Sequence, residues 1–398
     1  MCTHINPLEC IIPPHMSKNI AENGTAEQRQ KARNALTSSA RMRAERAVVA
    51  TITDLAKPVA AEGKHRNIFT ANNGTNLPGT MVRSEGDPPS GDSAVDEAYD
   101  GSGATYDLFE QVFQRNSIDG NGMVLDSTVH YQVGYDNAFW NGHQMVYGDG
   151  DEDLPEPQRI FNRFTIALDI IGHELTHGVT QFEAGLVYRD QPGALNESFS
   201  DVFGSLVKQH LRNQTAAEAD WIIGEGLFTS NVNGVGIRSM KAPGTAYDDP
   251  VLGRDPQPRH MSNYQDVTYD NGGVHINSGI PNHAFYATAM EMGGYAWEKA
   301  GQIWYLTLRD RLNPSSVFQE AAQQTYLVAG SLYGNGSPEQ QAVRNGWSAV
   351  GIQVTEVDPG DPGDPGEPED PGDTGGGGCS TVLVQFLDSV REIIAPKS

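Results

Sequence analysis

Two histidines four residues apart carry the strongest chemical signal in the sequence. They bound the motif HELTH at residues 173–177. Residues i and i+4 share one face of an α-helix, so the imidazoles of His173 and His177 can reach one metal ion. The apolar residues around the motif recur every three to four positions and fall on the opposite face. The pattern predicts a helix with a metal-binding front; histidines exposed on an ordinary polar helix face are the alternative.

A catalytic zinc takes three protein ligands and keeps a fourth position open. Downstream of His177, the segment GALNESFSD at residues 193–201 places two acidic residues on a second predicted helix, preceded by Pro192 and Gly193. We predict that Glu197 completes the zinc site and that Asp201 accepts a hydrogen bond from a ligating histidine and fixes its tautomer. An exposed acidic pair is the alternative interpretation.

Glu174 lies between the two histidines, beside the open position of the metal. A carboxylate there can take the proton of a zinc-bound water, whose pKa the metal lowers to about 7, as this water attacks a carbonyl. The resulting oxyanion needs hydrogen-bond donors. His275, with Asp270 placed to orient it, and Tyr188, between the two zinc helices, are the candidates. A structural loop histidine is the alternative for His275.

Two different halves of the chain must position these groups. Residues 47–160 show few helical runs, many Gly, Asn and Asp turns, and alternating stretches such as 127–133 and 144–147, which predicts a mostly β half. Residues 161–355 contain several long helical patterns. A β-rich half beside an α-rich half implies a cleft between them, where ligands commonly bind.

Composition excludes several classes of protein. Among 398 residues, 51 acidic and 27 basic side chains leave a net charge of −24, which would repel nucleic acid and anionic lipid. The chain has no run of 18 uncharged apolar residues, so we expect no membrane-spanning helix. The first residues lack the basic and apolar regions of a secretory signal peptide. Three cysteines, at positions 2, 10 and 379, exclude a disulfide framework.

Charge and composition separate both ends of the chain from its body. Residues 1–46 carry a net charge of +3 and include a predicted helix over 26–46; they either dock on the acidic body or form a free tail. Residues 356–378 form a Pro/Gly repeat with a net charge of −8, which predicts an extended linker, with calcium binding as the alternative. Residues 379–398 are too short to fold alone and are expected to dock on the body or a partner.

In their order along the chain, these motifs resemble those of the thermolysin-type neutral metallopeptidases. Further matches are NNGTNLPG at 72–79, NAFWNG at 137–142, QMVYGDGD at 144–151 and DNGGVHINSG at 270–279. The resemblance runs from Lys64 to Ile352. It implies an α+β fold, a thermolysin-like two-domain zincin with a β-rich N-terminal half and an α-helical C-terminal half. Zinc would be bound in the cleft by His173, His177 and Glu197.

The resemblance also implies a role for each site residue. The catalytic roles are Glu174 as the base, His275 and Tyr188 as transition-state stabilisers, Asp270 orienting His275, and Asp201 supporting the zinc ligands. Substrate backbone would be bound by Asn137, the Ala138 carbonyl and Arg238, and an apolar pocket lined by Phe161, Phe164, Ile170, Ile223 and Ile237. Such a pocket suits an endopeptidase that cleaves on the N-terminal side of bulky apolar residues, since each buried methylene contributes about 0.8 kcal/mol.

Calcium binding departs from the family's pattern. Asp169, Asp220 and Glu225 match calcium-ligand positions, but Lys208 stands where a shared bridging Glu is expected. An ammonium group there could replace one cation electrostatically. We therefore expect fewer calcium ions than in the family's archetype, one or none.

The N-terminus resembles the short-propeptide, protealysin-like branch of the family. In that branch a Pro-Pro-containing segment, here residues 11–16, is expected in or near the cleft, and removal at an Ala-Val junction near 46–50 would suit self-processing. Cys10 supplying a thiolate to zinc is an alternative mode of latency. The predicted units are a propeptide (1–46), a β-rich domain ending in the zinc-binding helix (47–180), an α-helical domain (181–355), an acidic linker (356–378) and a short C-terminal segment (379–398).

We predict a zinc endopeptidase made as a self-processing zymogen. Its expected partners are peptide and protein substrates and its own propeptide, with no nucleic acid and no membrane, and we expect a monomer. A zinc exopeptidase and a non-catalytic binding protein that kept the fold are the alternatives; intact Glu174 and His275 argue against the latter. The resemblance implies secretion, whereas the N-terminus shows no signal peptide, so a cytoplasmic location or non-classical export is the alternative.

Overall fold

The computed structural model describes residues 9–49 and 63–355. The predicted linker (356–378) and C-terminal segment (379–398) lie outside the described residues. None of the helices in the described ranges combines the length and the apolar character needed to cross a membrane.

A six-stranded sheet forms the first half of the described body. The strands are β1 (Glu9–Cys10), β2 (Arg66–Thr70), β3 (Thr80–Ser84), β4 (Leu125–Val129), β5 (Ala138–Trp140) and β6 (Met145–Tyr147). Their order in the sheet is β1-β5-β6-β4-β2-β3, and the β2–β4 and β4–β6 pairs are parallel. The predicted stretch 144–147 contains β6, whereas the predicted stretch 127–133 overlaps β4 only over residues 127–129.

One long helix lies in the half that the sequence predicted to have few helical runs. This helix, α3 (Ser93–Phe113), has 21 residues and is capped by Asp92, whose side chain accepts hydrogen bonds from the backbone N–H groups of Ala94 and Val95. It packs against the sheet and against the zinc-motif helix. The expectation of a mostly β half was therefore wrong for this segment, because its glycines were interpreted as turns.

The two predicted zinc helices are present and pack closely against each other. They are α4 (Leu168–Phe182) and α5 (Asp190–Arg212). A Cβ at Gly172 of α4 would lie 3.0 Å from the Cα of Gly204 on α5, so only glycines allow this approach. Pro192 and Gly193, predicted to precede the second helix, lie in its first turn.

The second half is mainly helical, and a long irregular region with short strand pairs interrupts it. A continuous core of buried apolar residues joins both halves. The remaining helices are α6 (Asp270–Asn277), α7 (Gly279–Met292), α8 (Ala300–Asp310), α9 (Phe318–Tyr333) and α10 (Pro338–Ala349); the paired short strands are β7 (Ile222–Ile223), β8 (Arg238–Ser239), β9 (Asp248–Asp249) and β10 (Gly253–Arg254).

The N-terminal segment is docked on this body and is not a free tail. It consists of β1 followed by the helices α1 (Pro14–Asn23) and α2 (Ala26–Val49), which confirms the helix predicted over 26–46. Strand β1 pairs antiparallel with β5. Amide side chains of α1 and α2 donate hydrogen bonds to carbonyl groups of the body.

Candidate metal centre and active site

The three residues predicted as metal ligands come together where α4 meets α5. His173 Nε2 lies 3.6 Å from Glu197 Oε2, and His177 Nε2 lies 3.5 Å from Glu197 Oε1. One donor atom from each residue lies within 4.8 Å of the other two. A tetrahedral zinc ion with ligands at about 2.0–2.1 Å separates its donors by about 3.3 Å. The observed spacing therefore fits one such ion.

Burial and hydrogen bonding at these residues also fit a metal. All three side chains are inaccessible to solvent, and His173 Nε2 and Glu197 Oε2 have no hydrogen-bond partner. A buried polar atom without a partner costs about 1–3 kcal/mol, so these atoms are suited to a ligand from outside the chain. Burial, together with His173, lowers the pKa of His177 well below its ordinary value, which favours the neutral imidazole that binds metals.

Asp201 holds His173 and a buried arginine at the same time. Its Oδ1 lies 2.8 Å from His173 Nδ1, so the metal-facing Nε2 of that ring is left without a proton. Arg238 donates two hydrogen bonds to the same carboxylate, at 2.8 and 2.7 Å. Burial alone would raise the pKa of Asp201, but Arg238 and His173 hold it well below its ordinary value. The carboxylate is thus fixed in its charged form.

Two residues that were not predicted from the sequence orient the second histidine. His177 Nδ1 lies 2.8 Å from Asn196 Oδ1 and 3.0 Å from Ser200 Oγ. Each of these polar residues directly precedes a predicted acidic site residue, Glu197 or Asp201. A four-residue polar spacing on the ligand-bearing helix was therefore the signal that could have found them.

Glu174 is on α4, and its side chain faces the sheet. Its Oε2 accepts a hydrogen bond of 3.0 Å from the backbone N–H of Trp140 on β5. The side chain is fully buried. Since β5 is also the strand that pairs with the N-terminal segment, one strand fixes both the carboxylate and the chain lying in the cleft.

The predicted oxyanion donors lie beside Glu197 of the metal-ligand group. His275 Nε2 lies 3.1 Å from Tyr188 Oη, and Tyr188 donates a short hydrogen bond to Glu197. Asp270 receives both the backbone N–H and the Nδ1–H of His275, at 3.0 and 2.5 Å. Burial alone would lower the pKa of His275, but Asp270 and Glu197 raise it to about 9. His275 is therefore held as an imidazolium beside the site.

The predicted backbone-binding residues contact the N-terminal segment. Asn137 Oδ1 accepts a hydrogen bond of 3.0 Å from Ile12 N, and the Ala138 carbonyl accepts one of 3.2 Å from Ile11 N. Arg238 donates to the Ile11 carbonyl at 3.3 Å. This pattern is that of an extended peptide added to the sheet edge.

The five residues predicted to line the apolar pocket are buried and belong to the main apolar core, which also includes Ile11 and Ile12. The rings of Phe161 and Phe164 have centroids 5.7 Å apart. Ile223 and Ile237 are joined by a backbone hydrogen bond of 2.8 Å between β7 and the residue before β8. Ile170 lies on α4, one turn before the zinc motif.

Cys10 does not belong to the metal-ligand group of the described residues, which consists of two histidines and one glutamate. Its side chain lies in a separate apolar cluster with Tyr135 and Phe139. The backbone carbonyl of Cys10 faces the site, and its oxygen lies 3.0 Å from His275 Nε2. The alternative of a cysteine thiolate on zinc was therefore wrong, because strand pairing turns the side chain to the other face of the sheet.

The residues matched to calcium ligands surround a lysine ammonium. Lys208 Nζ lies 2.7 Å from Asp169, 2.8 Å from Asp220 and 3.9 Å from Glu225, and donates to the Ile222 carbonyl. Lys208 is almost fully buried. The ammonium therefore takes the central position among these oxygens, as the sequence suggested, and the expectation of one calcium ion or none stays a prediction.

Comparisons with known proteins agree with this geometry. Residues 33–181 match the family described as thermolysin metallopeptidase, catalytic domain, and residues 184–352 match its alpha-helical domain. The chain is 49% identical over 353 residues to an extracellular metalloprotease of Pectobacterium carotovorum subsp. carotovorum, covering 88% of this chain and 98% of that protein. It is 47% identical over 358 residues to protease PrtS of Photorhabdus sp. (strain Az29), covering 89% and 94%.

A solved structure extends the likeness to the precursor form. The precursor of protealysin, a metalloproteinase from Serratia proteamaculans, superposes with a TM-score of 0.78 at 51% identity, covering 86% of this chain and 99% of that chain. Members of this family use a catalytic zinc, and His173, His177 and Glu197 are grouped to hold it. The chain thus belongs to the thermolysin family and is a zinc metalloendopeptidase.

Proposed function

We propose that the enzyme cleaves peptide bonds on the N-terminal side of bulky apolar residues, and that it removes its own N-terminal segment. The observation that carries the proposal is the chain's own residues 10–12, which lie in the cleft and continue from strand β1. Their carbonyls and amides are bound by His275, Asn137, Ala138 and Arg238. A substrate strand would take the same contacts.

Each residue of the site has a role in this proposal. When bound, zinc acts as a Lewis acid that makes a water molecule acidic near neutral pH and polarises a substrate carbonyl. His173, His177 and Glu197 hold the ion. Glu174, fixed by the Trp140 amide, takes the proton of the attacking water and delivers it to the leaving amine. His275 and Tyr188 donate hydrogen bonds to the carbonyl oxygen as it becomes negative.

The course of the bound segment supports an endopeptidase over the exopeptidase alternative. The chain enters the cleft on β1, pairs with β5 and leaves it into α1. The cleft holds chain on both sides of the Cys10 carbonyl, at Glu9 and at Ile11, an arrangement that suits bonds in the interior of a substrate. Ile11, Ile12 and all five predicted pocket residues belong to the main apolar core, which supports a preference for apolar side chains next to the bond.

Other parts of the proposal concern processing and location. Helix α2 ends at Val49, so the proposed Ala-Val junction near 46–50 lies at its C-terminal end, and residues 1–46 would be released. The relatives named extracellular metalloprotease support secretion of this chain. Action as a monomer, without nucleic acid or membrane partners, stays a prediction.

The experiment that tests the proposal separates chemistry from processing. The full chain and its Glu174→Gln variant are each incubated with internally quenched peptides that differ only in the residue after the scissile bond, Leu, Phe, Asp or Lys. We expect the full chain to shorten to a product beginning near residue 47 and to cleave the Leu and Phe peptides, with loss of activity on zinc chelation. Glu174→Gln should retain zinc and full length. Equal cleavage of the Asp and Leu peptides would contradict the proposed specificity, and cleavage by zinc-loaded Glu174→Gln at the unmodified rate would contradict the proposed base.

A further inference from the structure

A lysine of the N-terminal segment is buried among oxygen atoms of the catalytic body. Lys31, on α2, is 8% exposed. Its Nζ donates to Asp153 Oδ1 at 2.5 Å, Asp151 Oδ1 at 2.8 Å and the Gly150 carbonyl at 3.1 Å. Asp136 Oδ1 lies 3.9 Å from the same atom. Three carboxylates and a carbonyl thus converge on one positive charge, and these are the donors that a hard cation such as calcium prefers.

One of these carboxylates is not satisfied by the lysine. The side chain of Asp136 is 8% exposed, and its Oδ1 has no hydrogen-bond partner. Burial, and then the charge of Asp151, raise the pKa of Asp136 well above its ordinary value, and Lys31 opposes this rise. Three carboxyl groups therefore face a single ammonium group, and without Lys31 the buried carboxyl groups of Asp136 and Asp151 would have no cation between them.

The body fixes one carboxylate of the pocket, that of Asp151, without help from the N-terminal segment. The second oxygen of Asp151 accepts hydrogen bonds from the backbone N–H groups of Ile160 and Phe161, at 2.8 and 3.0 Å. At Gly134, an added Cβ would clash with Lys31 Cε, so the body leaves space for an occupant there. These contacts of Asp151 lie within the body and are kept when Lys31 is withdrawn.

We propose that Asp136, Asp151, Asp153 and the Gly150 carbonyl form a calcium site in the processed enzyme, and that the ammonium of Lys31 occupies it in the precursor. The proposal rests on the proposed removal of residues 1–46. Calcium takes six to eight oxygen ligands at about 2.3–2.6 Å in a flexible geometry. Asp136 Oδ1 moves toward the ion to reach this distance, and water completes the shell. Magnesium, which demands near-ideal octahedral geometry, suits the pocket less well.

The site has a consequence for activation. Calcium and the N-terminal segment cannot occupy the pocket together, so calcium binding opposes return of the segment once it is cut. The pocket is separate from the acidic residues around Lys208, whose ammonium belongs to the body itself and stays after processing. Of these two acidic clusters, the one around Lys31 changes its occupant when the segment leaves.

The test uses the full chain in a Glu174→Gln background, so that it depends neither on catalysis nor on self-processing. Calcium binding is measured by isothermal titration, and terbium(III) luminescence serves as a second probe. The chain with Lys31→Ala should bind one more calcium ion than the chain with Lys31. Adding Asp136→Asn should weaken that extra site at least tenfold. Lys18→Ala, an exposed lysine on α1, is the matched control and should leave the calcium count unchanged.

The outcomes distinguish a calcium site from a receptor for the lysine. An equal calcium count for the Lys31→Ala variant and the chain that keeps Lys31 overturns the proposal and leaves the pocket as a receptor for the lysine alone. An extra site that is unaffected by Asp136→Asn overturns the assigned ligands. Circular dichroism checks folding; if Lys31→Ala does not fold, Lys31→Gln, which is neutral and shorter than lysine, is measured instead with the same expected result. Because every variant carries Glu174→Gln, failure of the proposed peptidase mechanism would not alter these counts.

Discussion

The Nε2 atom of His275 lies 3.0 Å from the carbonyl oxygen of Cys10. His275 is the residue proposed to stabilise a substrate carbonyl as it becomes negative, so a carbonyl of the protein's own N-terminal segment lies where a substrate carbonyl is expected. The next two residues continue along the sheet edge with their amides paired. In the proposed mechanism, the segment blocks the cleft by taking the contacts that we assign to a substrate.

Shortening Ile12 should weaken this block. Its side chain is 3% exposed and belongs to the main apolar core, and replacing a buried Ile by Ala costs about 2–5 kcal/mol. We expect Ile12→Ala to speed conversion of the full chain to the processed form by about tenfold or more, measured by gel densitometry over time. Lys18→Ala, an exposed change on the same segment, is the control. Equal conversion rates for Ile12→Ala and the unchanged protein would show that docking does not limit processing.

The sequence predicted the metal-ligand group because all its signals are local. The ligands lie in two pairs with helical i, i+4 spacing. The first pair is the two histidines of HELTH, and the second is Glu197 with Asp201, which supports a ligating histidine. The contacts to Asn196 and to the Trp140 amide were not predicted. The hydrogen bond between His177 and Asn196 depends on how α4 packs on α5, which the sequence does not show. The Trp140 donor is a backbone amide, and since every residue except proline has one, the residue type gives no signal for it.

Helix α3 was not predicted from the sequence, and the reason is physical. The segment around residues 100–104 contains Gly101 and Gly103 beside Ser102 and Asp100, a composition typical of turns. In the fold these glycines mark close approaches, because a Cβ at Gly101 would clash with Ile171 Cδ1 and one at Gly103 would clash with Arg66 Nη1. Tertiary packing therefore requires residues that local propensity disfavours in a helix.

Replacing Asp270 should lower the rate without releasing zinc. Asp270 contacts His275 through two hydrogen bonds and is not one of the three grouped metal ligands. In Asp270→Asn the imidazolium loses the carboxylate that stabilises its charge, and loss of one oxyanion donor costs about 10²–10³-fold in kcat. We expect a fall of this order in kcat with little change in KM, measured with a quenched peptide, and unchanged zinc content. Tyr269→Phe, a half-exposed neighbour, is the control. A fall confined to KM would contradict the proposed role.

Asp201→Asn should weaken both the metal site and the fold. Asp201 is fully buried between His173 and Arg238, so its removal leaves the arginine charge buried without its carboxylate. Loss of one partner of such a pair costs about 3–5 kcal/mol, and loss of a support residue of a ligating histidine costs about 10–100-fold in metal affinity. Zinc competition with a chelator and thermal unfolding measure the two effects separately. Unchanged zinc affinity would show that Asp201 serves only the arginine.

Lys208 offers a test of calcium dependence. Its ammonium lies among Asp169, Asp220 and Glu225. Because the ammonium occupies the position that an ion would take, we expect calcium binding there to have little effect on the unfolding temperature of the enzyme. Lys208→Met should lower stability by about 3–5 kcal/mol, because it leaves the buried Asp169 carboxylate unpaired. Lys208→Glu should also be destabilised, but calcium should restore most of the loss. Thermal scans with and without calcium decide this, and absence of rescue in Lys208→Glu would contradict a latent ion site there.

Acidification should loosen the N-terminal segment through His15. His15 Nε2 lies 3.0 Å from Tyr247 Oη. Burial lowers the pKa of His15 to about 4, with Asp270 opposing and His275 and Arg238 adding to the shift, from an ordinary value of 6.5. Between these pH values the detached segment binds a proton that the docked segment does not, so docking is fully favourable above the ordinary pKa of 6.5 and weakens as the pH falls toward 4.

Protection of α1 from amide hydrogen exchange measures this effect in the Glu174→Gln chain, which is expected to stay unprocessed. We expect protection of Pro14–Asn23 to fall between about pH 7.5 and 5.0, after correction for the intrinsic exchange rate. In His15→Gln, whose amide can still reach Tyr247 but does not titrate, the fall should be much smaller. Loss of zinc or protonation of other groups at low pH would affect both chains alike, so only the difference between them reports on His15. Parallel curves for the two chains would assign the pH response to another group.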